Sequence, residues 1–428
     1  MKMNKNELLD LTIYSKTLSN GLEIYIVPKK DSKTTYATFT TNYGSNIIEF
    51  VPKNQDNFIK VPSGIAHFLE HKMFEQEDGT DPFTFFSNNG CDANANTTYY
   101  KTTYLFSGAN KVEENLEFLI DYVQAPYFTD ENVEKEKGII TQEIRMYLDD
   151  PISRLYEQSI ANSFSKHPIR IPVIGDEKNI NSITKENLYD CYNTFYQPSN
   201  MVLVVTGNVD PDKIIKLVEE NQKKKDYSEK SEIKIKTYDE PDKVNKKNEV
   251  LKMNVNIPKI SVNYKINYQR IKKYSKREIL NYLNLFFYIK FDNVSDFTSQ
   301  MKNEEFITDP FGLIYVDTDK HILYMIMNDS NKPQLLIDNI KDTMQKFDIT
   351  PEMFERKKKV LKSGQIYMSD NIFGINHKII SSHIKYGEVF NDDIDFIDGL
   401  TFKDFKDCIK QMKFNEASSV TIDSKDKN

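Results

Sequence analysis

Twice along this chain, on either side of a charge-dominated stretch at residues 223–249, strand-like runs alternate with segments of helical apolar period. That pattern restricts the fold to α+β, with two similar halves, each a mostly antiparallel sheet covered by helices. In the first half, KTLSNGLEIYIVPKK places an Asn20-Gly21 turn ahead of Leu22, Ile24 and Ile26 at period two, and TTYATFTTNYG follows. Residues 16–50 are therefore expected as a hairpin at the edge of a sheet. Residues 97–106 read as one strand, 112–123 and 130–148 as helices with Pro151 ending the second, and MVLVVTGNVD as a buried strand followed by a capped helix in DPDKIIKLVEENQKK. The second half repeats the alternation, with strands in SVNYKINY and HILYMIM and helices at 276–291, 332–347 and 351–368. The expected domains are 1–222 and 250–428, joined by a solvated connector at 223–249, and the likeness of the halves suggests a duplication.

Composition excludes several classes of function. With 428 residues, 39% hydrophobic and 28% charged, the chain is neither fibrous nor largely disordered. A formal charge of −7 gives no global basic field for holding nucleic acid. The opening MKMNKNELLDLTIYSKTLSNG lacks the apolar core of a secretory signal, and no run of about 20 apolar residues follows, so a cytoplasmic location without membrane insertion is expected. Cys91, Cys191 and Cys408 are odd in number and far apart, which favours buried or free thiols over disulfides or a cysteine zinc knuckle.

The chemistry concentrates in GIAHFLEHKMF. Ile65, Phe68, Leu69 and Met73 fall near a 3.6 period after a Pro62-Ser63 start signal, which predicts an amphipathic helix. His67 and His71 stand one turn apart on one face of that helix, within reach of a single metal ion, and Glu70 is placed to approach a water on it. Catalytic zinc takes three protein ligands, so another donor must come from elsewhere. In EKEKGIITQEIRMYLDDP, Glu136 and Glu143 lie two turns apart beside Ile140 and Ile144. Spacing alone does not decide whether they are a ligand and its support or two acids on a solvated helix.

HFLEH has the form of the inverted zinc motif, and its surroundings resemble the pitrilysin-like (M16-type, inverzincin) zinc metallopeptidases, which include insulin-degrading enzyme and the mitochondrial processing peptidase. TLSNGLEIYIVP is similar to the family's opening hairpin, PSGIAHFLEHKMF to its zinc helix, NANTTYYKTTY to its substrate-binding edge, EKEKGIITQEI to its second metal helix and YQPSNMVLVVTGNVD to its closing strand. EIRMYLDDP resembles the bacterial YmfH-like subgroup. The resemblance implies that 1–222 is the catalytic half, with His67, His71 and Glu143 holding Zn²⁺, Glu70 taking a proton from the water on it, and Glu136 supporting. It also implies that Asn94 and Ala95 border a strand to which an extended peptide adds by backbone hydrogen bonds.

The chain departs from the family at the Arg and Tyr that hold substrate and stabilise the oxyanion. Lys302 stands at the Arg position, the Tyr position falls near Asp309, and Tyr315 is the nearest tyrosine, either a substitute donor or a packing residue. Loss of an oxyanion donor costs about 10²–10³ in rate. The leading expectation is a zinc endopeptidase acting on peptides or unfolded segments. Its alternative is a non-catalytic, peptide-binding subunit of a peptidase complex. Structural zinc is disfavoured because such sites are closed by four ligands and rich in Cys. The implied partners are a peptide substrate and a second chain, as a homodimer or as a heterodimer with a related inactive chain. No HxxEH recurs in the second half, where His321, His377 and His383 lack a Glu in register.

Overall fold

The computed structural model describes residues 1–225, 227 and 232–425. Of the expected connector, residues 226 and 228–231 lie outside the described residues. The chain forms two compact units that are not contiguous in sequence. One comprises residues 1–144, 172–237 and 364–393, and the other 145–171, 238–363 and 394–428.

The first unit is built on strands β1 (Lys2–Asn6), β2 (Leu11–Thr17), β3 (Glu23–Pro28) and β4 (Thr35–Thr41), then the short pair β5 (Glu49–Phe50) and β6 (Ile59–Lys60), and β7 (Cys91–Thr97), β8 (Thr102–Gly108) and β9 (Met201–Gly207). The main sheet runs β1-β2-β3-β9-β4-β8-β7, with only β3 and β9 parallel. The Asn20-Gly21 turn does join a hairpin, β2 to β3. The expectation that residues 16–50 form an edge hairpin is corrected: β9 lies between β3 and β4, and β1 and β7 are the edges. Every residue of β9 is buried, and such an apolar run is stable only with partners on both sides. β4 is also wholly buried despite its threonines, because Thr40 bonds Thr103 at 3.0 Å and Thr41 donates to the Phe195 carbonyl at 2.7 Å.

Residues 97–106 are likewise not one strand but the bend of the β7–β8 hairpin. Thr98 N–H donates to the Lys101 carbonyl at 2.8 Å, and Thr98 Oγ1 accepts from the Tyr100 and Lys101 amides at 3.2 Å. The threonine that suggests a strand by propensity closes the turn through its hydroxyl.

The second unit has β10 (Asn248–Met253), β11 (Lys259–Asn267), β12 (Gly312–Asp317), β13 (His321–Asp329) and β14 (Ala417–Ser424), ordered β10-β14-β11-β13-β12. Only β10 and β14 are parallel. This repeats, strand for strand in chain order, the path of β3, β4, β7, β8 and β9.

The helices repeat too. In the first half α1 (Ile65–Lys72) and α2 (Pro82–Asn88) precede β7, and α3 (Val112–Val123), α4 (Asp130–Asp149), α5 (Pro151–Ser163), α6 (Glu177–Asn181) and α7 (Lys185–Phe195) separate β8 from β9, with α8 (Pro211–Lys223) following. In the second half α9 (Lys276–Phe291) and α10 (Asp296–Asn303) precede β12, and α11 (Pro333–Met344), α12 (Pro351–Ser369), α13 (Ile372–Tyr386), α14 (Asp393–Gly399) and α15 (Phe402–Gln411) separate β13 from β14. Pro151 both ends α4 and opens α5, where Asp150 caps the helix by accepting from Ser153 N–H at 2.7 Å.

The two sequence halves exchange one helix each. α5, from the first half, packs on β14 and β11, while α13, from the second, packs on β9 and β4. Buried Asn376 of α13 donates to the Val204 carbonyl at 3.1 Å and accepts from Thr38 Oγ1 at 2.8 Å, and Thr206 Oγ1 donates to the Ile372 carbonyl at 3.0 Å. In the second unit Lys265 Nζ donates to the Ser163 carbonyl of α5 at 3.0 Å and to Glu240 Oε1 at 2.6 Å. Glu240 also accepts from the backbone amides of Ser165, Lys166 and His167, and both members of the ion pair are buried.

Candidate metal centre

α1 starts where the chain could not continue with a side chain. Gly64 caps it at φ 86°, and a Cβ there would stand 2.4 Å from the Ile174 carbonyl oxygen. Gly175, at φ 80°, approaches Ser63 and Gly64 as closely from the other side. Ser63, expected as part of the start signal, makes no cap, and its buried hydroxyl has no hydrogen-bond partner among the described residues. Two glycine backbones in contact thus set the entry angle of the helix. Gly64→Ala is expected to lower stability by more than about 1–2 kcal/mol, since the left-handed conformation alone costs that much; a thermal melt checks it.

Ile65, Phe68 and Leu69 bury one face of α1, which leaves His67 and His71 half-buried on another. On α4, buried Ile140 and Ile144 turn Glu136 and Glu143 toward those rings. His67 Nε2 lies 3.8 Å from Glu143 Oε1 and His71 Nε2 lies 3.7 Å from Glu143 Oε2. These separations are too long for hydrogen bonds. They suit three donors around one ion, because two donors about 2.1 Å from a tetrahedral zinc stand about 3.4 Å apart. Among the described residues, His67, His71 and Glu143 are the one group whose donor atoms converge this way, all within 4.8 Å of one another.

The surroundings hold these donors in place. His71 Nδ1 lies 2.9 Å from Glu136 Oε1, so Nδ1 donates to the carboxylate and Nε2 is left facing Glu143. Burial lowers the His71 pKa, but hydrogen bonding and charge from Glu136, with Glu70 and Glu143 adding, outweigh it and hold the value above the usual range. His67 is pushed down to about 3, by burial and then by His71, and is neutral near pH 7. Its Nδ1 is buried with no partner among the described residues.

Lys72 is only 1% exposed, with Nζ 3.9 Å from Glu136 Oε2 and in contact with Glu75. Glu70 is buried, and Thr97 Oγ1 donates to its Oε2 at 2.5 Å. Burial pushes the Glu70 carboxyl up, opposed by the Thr97 hydrogen bond and by His71, while Glu143 adds to the rise. Burial also raises Glu143. The arrangement presents a neutral and a carboxylate-held imidazole, a carboxylate donor and, one step away, the buried acid Glu70.

Known proteins resemble this chain over most of its length. The Insulinase (Peptidase family M16) pattern matches residues 60–177, and the Peptidase M16 inactive domain pattern matches residues 182–361. The uncharacterized zinc protease YmfH of Bacillus subtilis is 44% identical over 360 residues, covering 83% of this chain and 83% of that protein. The chain belongs to peptidase family M16. Among solved structures, an M16-like peptidase from Alicyclobacillus acidocaldarius superposes with a TM-score of 0.90 at 30% identity, covering 96% of this chain and 98% of that one. A protease from Helicobacter pylori shares the fold, with a TM-score of 0.81 at 18% identity over 96% of this chain and 99% of that one. Among the described residues of this M16 chain, no helix is long and apolar enough to cross a membrane.

The remaining expected site residues fall in two places. Asn94 and Ala95 lie on edge strand β7, where the Ala95 N–H donates to Asn94 Oδ1 at 2.8 Å. Lys302 and Tyr315 belong to the second unit. There Lys302 Nζ donates to Asn293 Oδ1 at 2.8 Å, and Tyr315 on β12 stacks on Tyr324 at 5.7 Å. His321 Nε2 contacts Asp242 at 2.8 Å. The three cysteines are buried and free. Sequence reasoning overlooked Lys72 and the hydroxyl of Thr97. Lys72 carried a signal, since it falls one turn after Phe68 on the buried face of the M16 helix; Thr97 carried none.

Proposed function

We propose that this chain is a zinc-dependent endopeptidase in which His67, His71 and Glu143 hold the metal and Glu70 is the general base. The convergence of three donor atoms that do not bond one another carries the reading. Held by His67, His71 and Glu143, Zn²⁺ would supply Lewis acidity toward a peptide carbonyl and toward the attacking water, whose pKa it would bring toward about 7. Glu70 takes the proton of the attacking water and later passes it to the departing amine, and its burial suits a carboxyl that must be both base and acid. Glu136 keeps His71 in the tautomer with Nε2 free. An extended peptide adds to the free edge of β7 beside Ala95, displacing Asn94 Oδ1 from the Ala95 amide. By the family pattern alone, Lys302 stands at the substrate-holding Arg position and Tyr315 is the tyrosine nearest the Tyr position, which falls near Asp309.

Metal analysis with a quenched-peptide assay tests the reading. One zinc per chain and cleavage that is lost with a chelator and restored by zinc are expected; protein that binds peptide without metal would support the non-catalytic subunit instead. Glu136→Gln is expected to weaken zinc about 10- to 100-fold, the effect of losing a partner that orients a histidine ligand. Competition with a chromophoric chelator measures it, and unchanged affinity would remove Glu136 from this role.

A further inference from the structure

We propose that Thr97 is a positioning residue for Glu70: its hydroxyl holds Oε2, presents Oε1 to the attacking water, and ties the base to the strand that takes the peptide. The inference rests on the peptidase reading. An ionised carboxylate only accepts hydrogen bonds, so the 2.5 Å contact uses the single hydroxyl hydrogen of Thr97. That hydrogen is then not available to Thr102 Oγ1, 3.2 Å away, whose own hydrogen goes to the Tyr43 carbonyl at 3.0 Å or to Thr97. Whichever way the Thr102 hydrogen turns, Thr97 is the donor to Glu70, because the carboxylate only accepts. A short O–H···O⁻ bond is among the stronger kinds, enough to select one orientation of a side chain with three rotatable bonds.

The placement of Thr97 makes it more than a local prop. On β7 the residues Asp92, Asn94 and Asn96 are exposed, while Cys91, Ala93, Ala95 and Thr97 share the opposite face, against which α1 packs. Thr97 is the one hydroxyl on that face. It is also the last residue of the strand, directly before the Thr98 turn that pins the hairpin bend. A peptide added to the edge of β7 fixes the strand whose final side chain orients the base, so substrate docking and base geometry share one backbone segment.

Thr97→Val keeps the shape of the side chain and removes the hydrogen; Thr97→Ser keeps the hydrogen. For Thr97→Val, kcat is expected to fall about 10- to 100-fold with KM within about twofold of wild type, the signature of an interaction used in the transition state. Zinc stays at one per chain. Thr97→Ser recovers most of the rate, and crystals of the zinc-loaded variants show one Glu70 orientation with Ser and several with Val. Equal losses in both variants, a rise in KM alone, or a single ordered Glu70 in Thr97→Val would overturn the proposal. If the wild type binds zinc yet cleaves nothing, the peptidase reading fails by itself, and the Glu70 orientation in Thr97→Val then decides this one: several orientations support it and one overturns it.

Discussion

Replacing Glu70 by Gln is expected to reduce peptide cleavage by about 10²–10⁴-fold, the usual worth of a general base, while zinc remains at one per chain. The amide is nearly isosteric and still accepts the Thr97 hydroxyl, so the packing around Glu70 is kept. It cannot take a proton from water. The metal donors sit on other side chains, His67, His71 and Glu143, so the ion stays. Zinc analysis and single-turnover cleavage on the same preparation separate the two effects. Equal cleavage by wild type and Glu70→Gln would end the assignment of the base, and lost zinc would mean that Glu70 serves the metal directly.

A second large effect is expected in the second unit. Glu240→Ala should destabilise the second unit by about 3–5 kcal/mol, because it leaves the Lys265 ammonium buried without its counter-charge. Lys265 retains backbone carbonyls, those of Ser163 and Pro241 among them, and the face of the Phe164 ring, and the amides of Ser165, Lys166 and His167 lose their acceptor. Burial raises the Glu240 pKa, but Lys265 and the three amides outweigh it and hold the value at about 2. A carboxylate whose folded pKa is depressed stabilises the fold above its unfolded pKa of about 4.3 and loses that contribution as pH falls toward the folded value. Urea unfolding at pH 7 and pH 3 should therefore show the gap between wild type and variant narrowing at pH 3. The double variant Glu240→Gln, Lys265→Met should recover much of the loss. An unchanged unfolding midpoint for Glu240→Ala would show that the pair carries no net stability.

Glu240 also marks where sequence reading stopped. It lies in a stretch read as a solvated connector because charge dominates its composition, yet its partner, Lys265, is 25 residues away on β11. No local pattern announces a burial made by a distant counter-ion. The same limit explains β9: its apolar run declares a buried strand, but its place between β3 and β4 is a pairing across more than 150 residues. By contrast α3 and α9 were legible to the residue, and α1 closely so, because their apolar period is local, with a Ser275–Glu278 capping box added at α9. At the site, His67, Glu70 and His71 follow from one helical turn. The convergence of Glu143 on them needed the fold or a family resemblance, and the bond from Thr97 to Glu70 needed coordinates.

The exchange of α5 and α13 sets an order of events during synthesis. Asn376 meets Val204 across 172 residues, so β9 leaves the ribosome roughly 10–35 s before the helix that will cover it, at common elongation speeds. For that interval the nascent first sheet carries an open apolar face, a target for chaperones and a hazard for aggregation. Truncations upstream of residue 372, whether by premature stop or by cloning of the first half alone, should yield insoluble or chaperone-held protein even though every proposed ligand is present.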